Sequence, residues 1–412
     1  AMAKIIPFKA LRPTRDKVGL IASRSYESYS TKEKNARLRD NPFSFLHIVN
    51  PGYKYQKTIT GERRYTLVRN RYREFKEDGS FIQDENSCFY FYKIISKEGH
   101  ESNGIIAGAS TLDYQNNIIK KHENTLERKE IIFEQYLKTV GFNAEPVLLT
   151  YKDNSNINSI ILEKTEERAE YEFTTTNKVL HKFWKLENPD TIQEIITEFS
   201  EIQNIYIADG HHRSASSSLL CQNIRKENPN YKPEDNFNFF MSYLIPESEL
   251  KIINFNRLIK HTNGFTGKEL IDLMEKSYYV KMIGTNIYSP TLKDEISMYL
   301  GGLWYSLISH SKEYNSTSES LDPSILSVNI LSPILGITDE KTDENISFFD
   351  GTIPLSEIKN KVDNGEFSIA FILKPIPIES LKLVADNNEI MPPKSTYIQP
   401  KLRSGLTIYT IN

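Results

Sequence analysis

The sequence predicts an α+β fold of mixed sheets and helices, and three observations carry that reading. Residues 89–95 and 105–112 are rich in aromatic and β-branched side chains and flank the polar turn 97–103, the pattern of a β-hairpin. Residues 126–140 place Ile132, Tyr136 and Val140 beside Phe133 and Leu137 at helical spacing and stop at Gly141. In the last third, short strands and helices follow one another without the regular alternation of a doubly wound parallel sheet.

Taken in order, the hairpin and the 126–140 helix lead to short apolar runs at 147–151 and 159–162, read as strands. Residues 191–202 carry Ile192, Ile195, Ile196 and Phe199 on one helical face. Ile205 to Ala208 is a strand-like run, Asp209 and Gly210 are turn formers, and 211–225 holds no glycine or proline, so this unit reads strand, tight turn, helix. Beyond it, strands are expected at 238–244, 252–259, 295–300 and 367–373, with helices at 324–335 and 355–362. A chain of 412 residues has room for two or three domains. The expected division is 1–235 and 236–412, two α+β regions packed as one integrated unit.

Lys and Arg number 51 against 54 Asp and Glu, a formal net charge of −3, which gives no bulk attraction to nucleic acid. Only Cys88 and Cys221 occur, without CxxC spacing, so neither a disulfide framework nor a cysteine-rich zinc site is available, and a reducing cytoplasm is the expected compartment. The longest uncharged stretches, 296–310 and 323–338, are too short to span a bilayer. No export signal is read at the N-terminus, and Ala1 before Met2 reads as the remnant of a cleaved tag.

The chemistry concentrates at Asp209-Gly210-His211-His212-Arg213, where a carboxylate, a glycine and three potential cations meet the start of a helix. Cations are repelled by the positive end of a helix unless an anion lies between them. A bound phosphate would remove the conflict: Gly210 permits close backbone approach, the N–H groups of the first turn point outward, and Arg213 offers a planar fork. The alternative is a structural one, with Asp209 a plain N-cap and Arg213 paired to a carboxylate. Adjacent His211 and His212 project about 100° apart on a helix, so one metal ion is not readily held by both. Ser214 and the small residues after it suit either close packing or phosphate contacts.

A second cluster, Lys120-Lys121-His122-Glu123-Asn124-Thr125, precedes the 126–140 helix. Glu123 could activate a hydroxyl or hold Mg²⁺; as a plain helix entrance, Asn124 or Thr125 would be its cap. The proline-stiffened tail around Lys394, Ser395 and Thr396, with Lys401 beyond, could present cationic and hydroxyl groups to a phosphate at little entropic cost. Arg63, Arg64, Arg69, Arg71 and Arg73, interleaved with Tyr65 and Tyr72, could bind single-stranded nucleic acid, but Glu62, Glu74 and Glu77 favour a salt-bridged face. Signatures of a Walker phosphate loop, a GxGxxG dinucleotide turn, an HExxH zinc helix and a GxSxG nucleophile elbow are absent.

Together these motifs resemble a bacterial and archaeal family catalogued as a domain of unknown function, number ten-fifteen, with DGHHR at its centre. The matching segments are Ile-Ile-Pro-Phe-Lys-Ala-Leu-Arg12-Pro, His122-Glu123-Asn-Thr125, Asp209 to Arg213, Leu321-Asp322-Pro with Leu335-Gly336, and Met391 to Tyr397 with Lys401 and Ser404-Gly405. Residues 22–29 depart from the family's usual Pro-Pro-Tyr-Asp-Val type of turn. The Asp-Gly-x-x-Arg turn also resembles the partition-protein and sulfiredoxin-like superfamily, which includes a free-serine kinase. The resemblance implies a core of that type, and phosphoryl transfer involving L-serine and O-phosphoserine, with Mg²⁺ and ATP, ADP or pyrophosphate. In that scheme Glu123, Asp209, His211 and His212 are catalytic. Gly210, Arg213, Ser214, Lys394, Ser395 and Thr396 hold phosphate, His122 and Arg12 hold substrate, and Asp209 and Glu123 hold the metal. The partners expected are a small-molecule substrate and a nucleotide or pyrophosphate, with no membrane. A non-catalytic nucleotide-binding switch and a nucleic-acid module are the other readings, and the oligomeric state stays open.

Overall fold

The computed structural model describes residues 3–411, so Ala1 and Met2 lie outside the described residues. The fold is α+β, with mixed sheets. Two compact units divide the chain: 3–250 with 400–411, and 251–399. The boundary falls at 250 rather than the expected 235, and the chain returns at 400, because the strand at 239–246 is central to the first unit's sheet.

That sheet has nine strands: β1 (Ile5–Ile6), β2 (Phe89–Ile95), β3 (Glu101–Ser110), β4 (Ile119–Lys120), β5 (Val147–Tyr151), β6 (Tyr171–Thr174), β7 (Leu180–Leu186), β8 (Ile205–Asp209) and β9 (Phe239–Pro246). Its order is β4-β8-β5-β9-β3-β2-β7-β6, with β1 pairing β3. The β8–β4 and β9–β5 pairs are parallel and the rest antiparallel. Strand β2 begins Phe-Tyr-Phe-Tyr, all four side chains buried, and pairs β3 from Ile95–Glu101 to Tyr90–Ile106, a hairpin as expected, but with 101–103 paired rather than in the turn and with 111–112 in a short helix rather than the strand.

Helices α1 (Thr31–Asp40), α2 (Gly61–Glu77), α3 (Glu127–Val140), α4 (Ser155–Thr165), α5 (Pro189–Ser200) and α6 (His211–Glu227) belong to the same unit. Helix α3 stops where Gly141, at φ +77°, accepts the left-handed turn and returns its N–H to Leu137. Helix α4 corrects the expected strand at 159–162. Asn154 caps it by accepting from the Ile157 N–H, and Ile157 and Ile161 bury one face, a spacing that a short apolar run does not separate from a strand.

The second unit carries a six-stranded sheet of β10 (Phe255–Ile259), β11 (Tyr278–Gly284), β12 (Glu295–Leu300), β13 (Leu303–Ser309), β14 (Ile346–Asp350) and β15 (Ile369–Ile372), in the order β11-β13-β12-β15-β10-β14. Every pair in it is antiparallel. Its helix α7 (Gly267–Met274) starts from a capping box of Thr266 and Glu269. The strand expected at 252–259 is two, Lys251–Ile253 and β10, and the helix expected at 324–335 is a short α-turn, Asp322–Leu326, followed by a π-turn, Ser327–Leu331, ahead of Pro333. No helix among the described residues is long and apolar enough to cross a membrane.

Candidate functional site

Strand β8 delivers Asp209 to the end of the sheet, and the chain turns there into α6. Gly210 makes the turn at φ +100°, where a side chain is strained. An added Cβ would also sit 3.3 Å from Val147 Cα on the neighbouring strand. Helix α6 has no side-chain cap and no acidic residue in its first turn, so its N–H groups are not spent on a capping oxygen.

The start of α6 opens on a cavity of about 680 Å³ within the first unit. Asp209, Gly210, His211, His212 and Arg213 form one wall together with Glu123 and Glu145; Ile132, Phe133, Tyr136 and Leu137 of α3 form an apolar wall; Ser23, Arg24 and Tyr26 close a third side. Ile132 and Phe133 of the helical stripe are therefore not core residues: they are 42% and 36% exposed.

The His122 N–H donates to His211 Nε2 at 3.2 Å, so the neutral His211 ring carries its proton on Nδ1. That Nδ1 lies 3.6 Å from Glu123 Oε2. Burial, with His122, His212 and Lys121 close by, holds the His211 pKa well below the usual value, so the ring stays neutral and its N–H faces the carboxylate. His122 packs edge-on against it at 4.4 Å and is pushed down to about 4 by burial, partly countered by Asp209 and the Ile207 carbonyl. Glu123 thus stands beside both histidines, half exposed at the cavity wall.

A profile of the family described as "Protein of unknown function (DUF1015)" matches residues 5–324. The chain belongs to the DUF1015 family. No curated protein matches it. Among solved structures, the chain is similar to a free serine kinase in complex with AMP, at 11% identity, covering 74% of this chain and 91% of that one with a TM-score of 0.35. It is also similar to a conserved hypothetical protein from Pyrococcus furiosus, at 13% identity, covering 73% and 91% with a TM-score of 0.33. C-terminally truncated SbnI from Staphylococcus aureus is a third, at 12% identity, covering 73% and 85% with a TM-score of 0.34.

Several residues singled out in this DUF1015 chain sit elsewhere than expected. Arg12 does not line the cavity; it is 2% exposed and clasps Asp84 through Nε and Nη2 at 2.8 and 2.9 Å, with Nη1 on Tyr171 at 3.0 Å. Burial alone would lower its pKa, but the hydrogen bonds to Asp84 and Tyr171 carry it above the ordinary value, the mark of a structural pair. His122 is 1% exposed and stands behind His211, out of a substrate's reach. Ser214 is fully buried, its hydroxyl spent on the Gly210 and His211 carbonyls at 3.2 and 3.0 Å. Lys394, Ser395 and Thr396 belong to the second unit, where Ser395 is buried with its hydroxyl on the Pro392 carbonyl and Lys394 Nζ lies 5.3 Å from the Phe255 ring.

Arg213 is not an empty fork. Its Nη1 donates to the Pro146 carbonyl at 2.7 Å and its Nη2 lies 3.3 Å from Glu145. Lys401 Nζ lies 3.4 Å from Asp209 Oδ2. Sequence reasoning missed Glu145, Arg24, Arg64 and the apolar wall as cavity residues; the departure of residues 22–29 from the family pattern argued against a ligand role for that loop, yet Ser23, Arg24, Tyr26 and Glu27 of it line the cavity. In α2, Arg64 faces the cavity while Arg71 pairs with Glu74, as on a salt-bridged face.

For a metal, the side chains of His122, Glu123 and His211 offer ligand atoms within 4.8 Å of one another. They do not fit a chelating imidazole site, because His211 Nε2 already accepts a backbone N–H and Nδ1 holds the proton. Glu123 and Asp209, carboxylates on one cavity wall, are the hard oxygen donors that Mg²⁺ takes together with water and phosphate oxygens.

Proposed function

We propose that the first unit transfers a phosphoryl group between a nucleotide or pyrophosphate and a small hydroxyl metabolite, with L-serine and O-phosphoserine the pair to test first. One observation carries the reading: an uncapped 17-residue helix begins at a left-handed glycine on a cavity wall, beside a carboxylate 3.6 Å from a neutral histidine ring nitrogen. The helix start supplies N–H donors and positive potential for the transferred phosphate, and phosphoryl transfer asks little more of a protein than positioning and charge neutralisation.

In this scheme the acceptor hydroxyl gives its proton to Glu123 as its oxygen bonds phosphorus. The bond from phosphorus to the donor's bridging oxygen breaks, and the electron pair leaves on that oxygen, releasing ADP from ATP, AMP from ADP, or phosphate from pyrophosphate. His211 fixes the orientation of Glu123, and His212 borders the phosphate. Mg²⁺, held by Asp209 and Glu123, supplies charge neutralisation when bound. Incubation of the protein with L-serine, Mg²⁺ and each donor is expected to yield O-phosphoserine in at least one mixture. No product in any of them, and no phosphate released from O-phosphoserine, rejects the reading.

The Arg213–Glu145 and Lys401–Asp209 pairs favour a second reading, a nucleotide-binding switch in which an arriving anion displaces internal carboxylates from their cations. That reading expects saturable nucleotide binding without turnover.

A further inference from the structure

We propose that the apolar wall of this cavity is a nucleobase subsite, so that the phosphoryl donor is a nucleotide and not pyrophosphate. The proposal rests on the functional reading above for the phosphate at the start of α6, and adds what recognises the rest of the donor.

The wall comes from one face of one helix. Lys129, Ile132, Phe133, Tyr136 and Leu137 of α3 recur at the three- and four-residue spacing that puts side chains on the same side, and all five line the cavity. An apolar stripe of this kind is ordinarily covered by the core. Here Leu137 is buried, but Ile132 and Phe133 stay exposed. The Phe133 ring lies 6.4 Å from the His212 ring, at a tilt of 33°. His212 belongs to the first turn of α6, so the apolar surface and the anion-receiving helix start are neighbours in a single cavity.

The wall is also aromatic. Tyr26 and Tyr136 both line the cavity, with the Arg64 guanidinium carbon 5.8 Å from the first ring centroid and 5.5 Å from the second. The Val49 carbonyl fixes that guanidinium by accepting from Nη2 at 2.8 Å. Flat rings and a flat cation suit a planar heteroaromatic guest, which stacks on either. At about 680 Å³ the cavity falls within the roughly 300–1,000 Å³ of sites that take ligands the size of a nucleotide. Pyrophosphate would bring charge but no apolar area to cover Ile132 and Phe133.

A second, independent observation points to a neutral polar edge on that guest. Ser23 lines the cavity, is 4% exposed, and its hydroxyl has no hydrogen-bond partner among the described residues. Its backbone is fixed by an isolated antiparallel bridge, the Ser23 N–H donating to the Ser404 carbonyl at 3.0 Å. A buried hydroxyl without a partner is costly, and a ligand atom would satisfy it. Two residues on, the Ser25 hydroxyl donates to Glu27 at 2.9 Å and lies 3.4 Å from Glu145, and both carboxylates line the cavity. They repel a second anion. The N–H groups and ring nitrogens of a base meet carboxylates and a hydroxyl without that repulsion.

The test is calorimetric titration of the full chain with ribose 5-phosphate, AMP, GMP, pyrophosphate, ADP and GDP, for the wild type, Phe133→Ala and Phe133→Tyr. Ribose 5-phosphate carries the sugar and phosphate of the monophosphates without a base. At least one monophosphate is expected to bind at least about tenfold more tightly than it, and the matching diphosphate to exceed pyrophosphate by a like factor. The base with the larger gain names the donor. Phe133→Ala is expected to lose most of that gain while binding ribose 5-phosphate as the wild type does, and Phe133→Tyr, which keeps the ring, to retain it. Should Phe133→Ala fail to fold, the wild-type comparison with ribose 5-phosphate decides. Ribose 5-phosphate binding as tightly as both monophosphates, pyrophosphate binding as tightly as both diphosphates, no binding of any nucleotide, or a folded Phe133→Ala that keeps the whole gain overturns the proposal. A nucleotide gain without phosphoserine formation leaves the subsite standing and removes the turnover reading. Phosphoserine formed from pyrophosphate alone does the reverse.

Discussion

Two corners of the first unit begin from the same kind of sequence signal, an arginine within a motif, and end in opposite states. At Arg12 the guanidinium is buried, holds Asp84 in a two-pronged clasp and meets Tyr171, while the Tyr90 hydroxyl donates to the same carboxylate at 2.5 Å. At Asp209 to Arg213 every group but the buried His211 is partly exposed, the helix start lacks a capping side chain, and a cavity faces them. The closed corner spends its polar groups on the fold. The open corner spends Arg213 on Pro146 and Glu145 but keeps the N–H groups of its helix start without a capping side chain.

The sharpest way to break this contrast is to remove one carboxylate or cation from each corner. Glu123→Gln is expected to lower phosphoserine formation by about 10²- to 10⁴-fold with an unchanged melting temperature, read by product assay and calorimetry. Arg12→Ala should instead cost about 3–5 kcal/mol of stability, because Asp84 would be left buried and uncompensated. Denaturant unfolding measures that loss, and ligand affinity per folded molecule should stay at the wild-type value. If Arg12→Ala abolished binding in a folded protein, the division between the corners would fail.

A carboxylate in the second unit sharpens the contrast from another side. Asp322 is raised from 3.8 to about 6, first by burial and then by Asp294, with Lys374 offsetting part of the rise. The folded state therefore binds its proton more tightly than the unfolded state. The associated stability is present below about pH 4 and is lost as pH rises through about 6, by about 2–3 kcal/mol. Asp322→Asn should flatten the pH dependence of stability between pH 4 and 6 and raise the melting temperature at pH 7. The smallest effect belongs to a helix start that is capped: Thr266→Ala removes the oxygen accepting the Glu269 N–H and should cost about 1 kcal/mol in a denaturation curve, with no change in anion binding.

Much of this fold was legible from local pattern. The 89–112 hairpin, the helix ending at Gly141, and the strand, turn and helix around Gly210 each rest on spacing or on a residue with a special backbone preference. Residues 159–162 were misread because four apolar-rich residues fit either period, and the distinguishing cap, Asn154, lies outside the run. The candidate site was half legible. Most of its polar wall is one contiguous motif, 209–213, whereas Glu145, Arg24 and Arg64 reach the cavity from segments far away in sequence. Arg12 was misplaced because a motif does not say whether a guanidinium faces a ligand or a buried carboxylate. The pairing of Ser23 with Ser404 joins residues nearly the full chain apart, and no periodicity encodes it.

That return of the chain at 400 sets an order of assembly. Ser404 and Lys401, which close on Ser23 and Asp209, leave the ribosome only after the whole of 251–399 has been made. At roughly 5–20 residues per second, the earlier strands wait about 7–30 s for their final segment. Through that interval the hollow lacks Ser404 and Asp209 lacks its Lys401 partner, so the wall it presents is complete only once synthesis has passed residue 404.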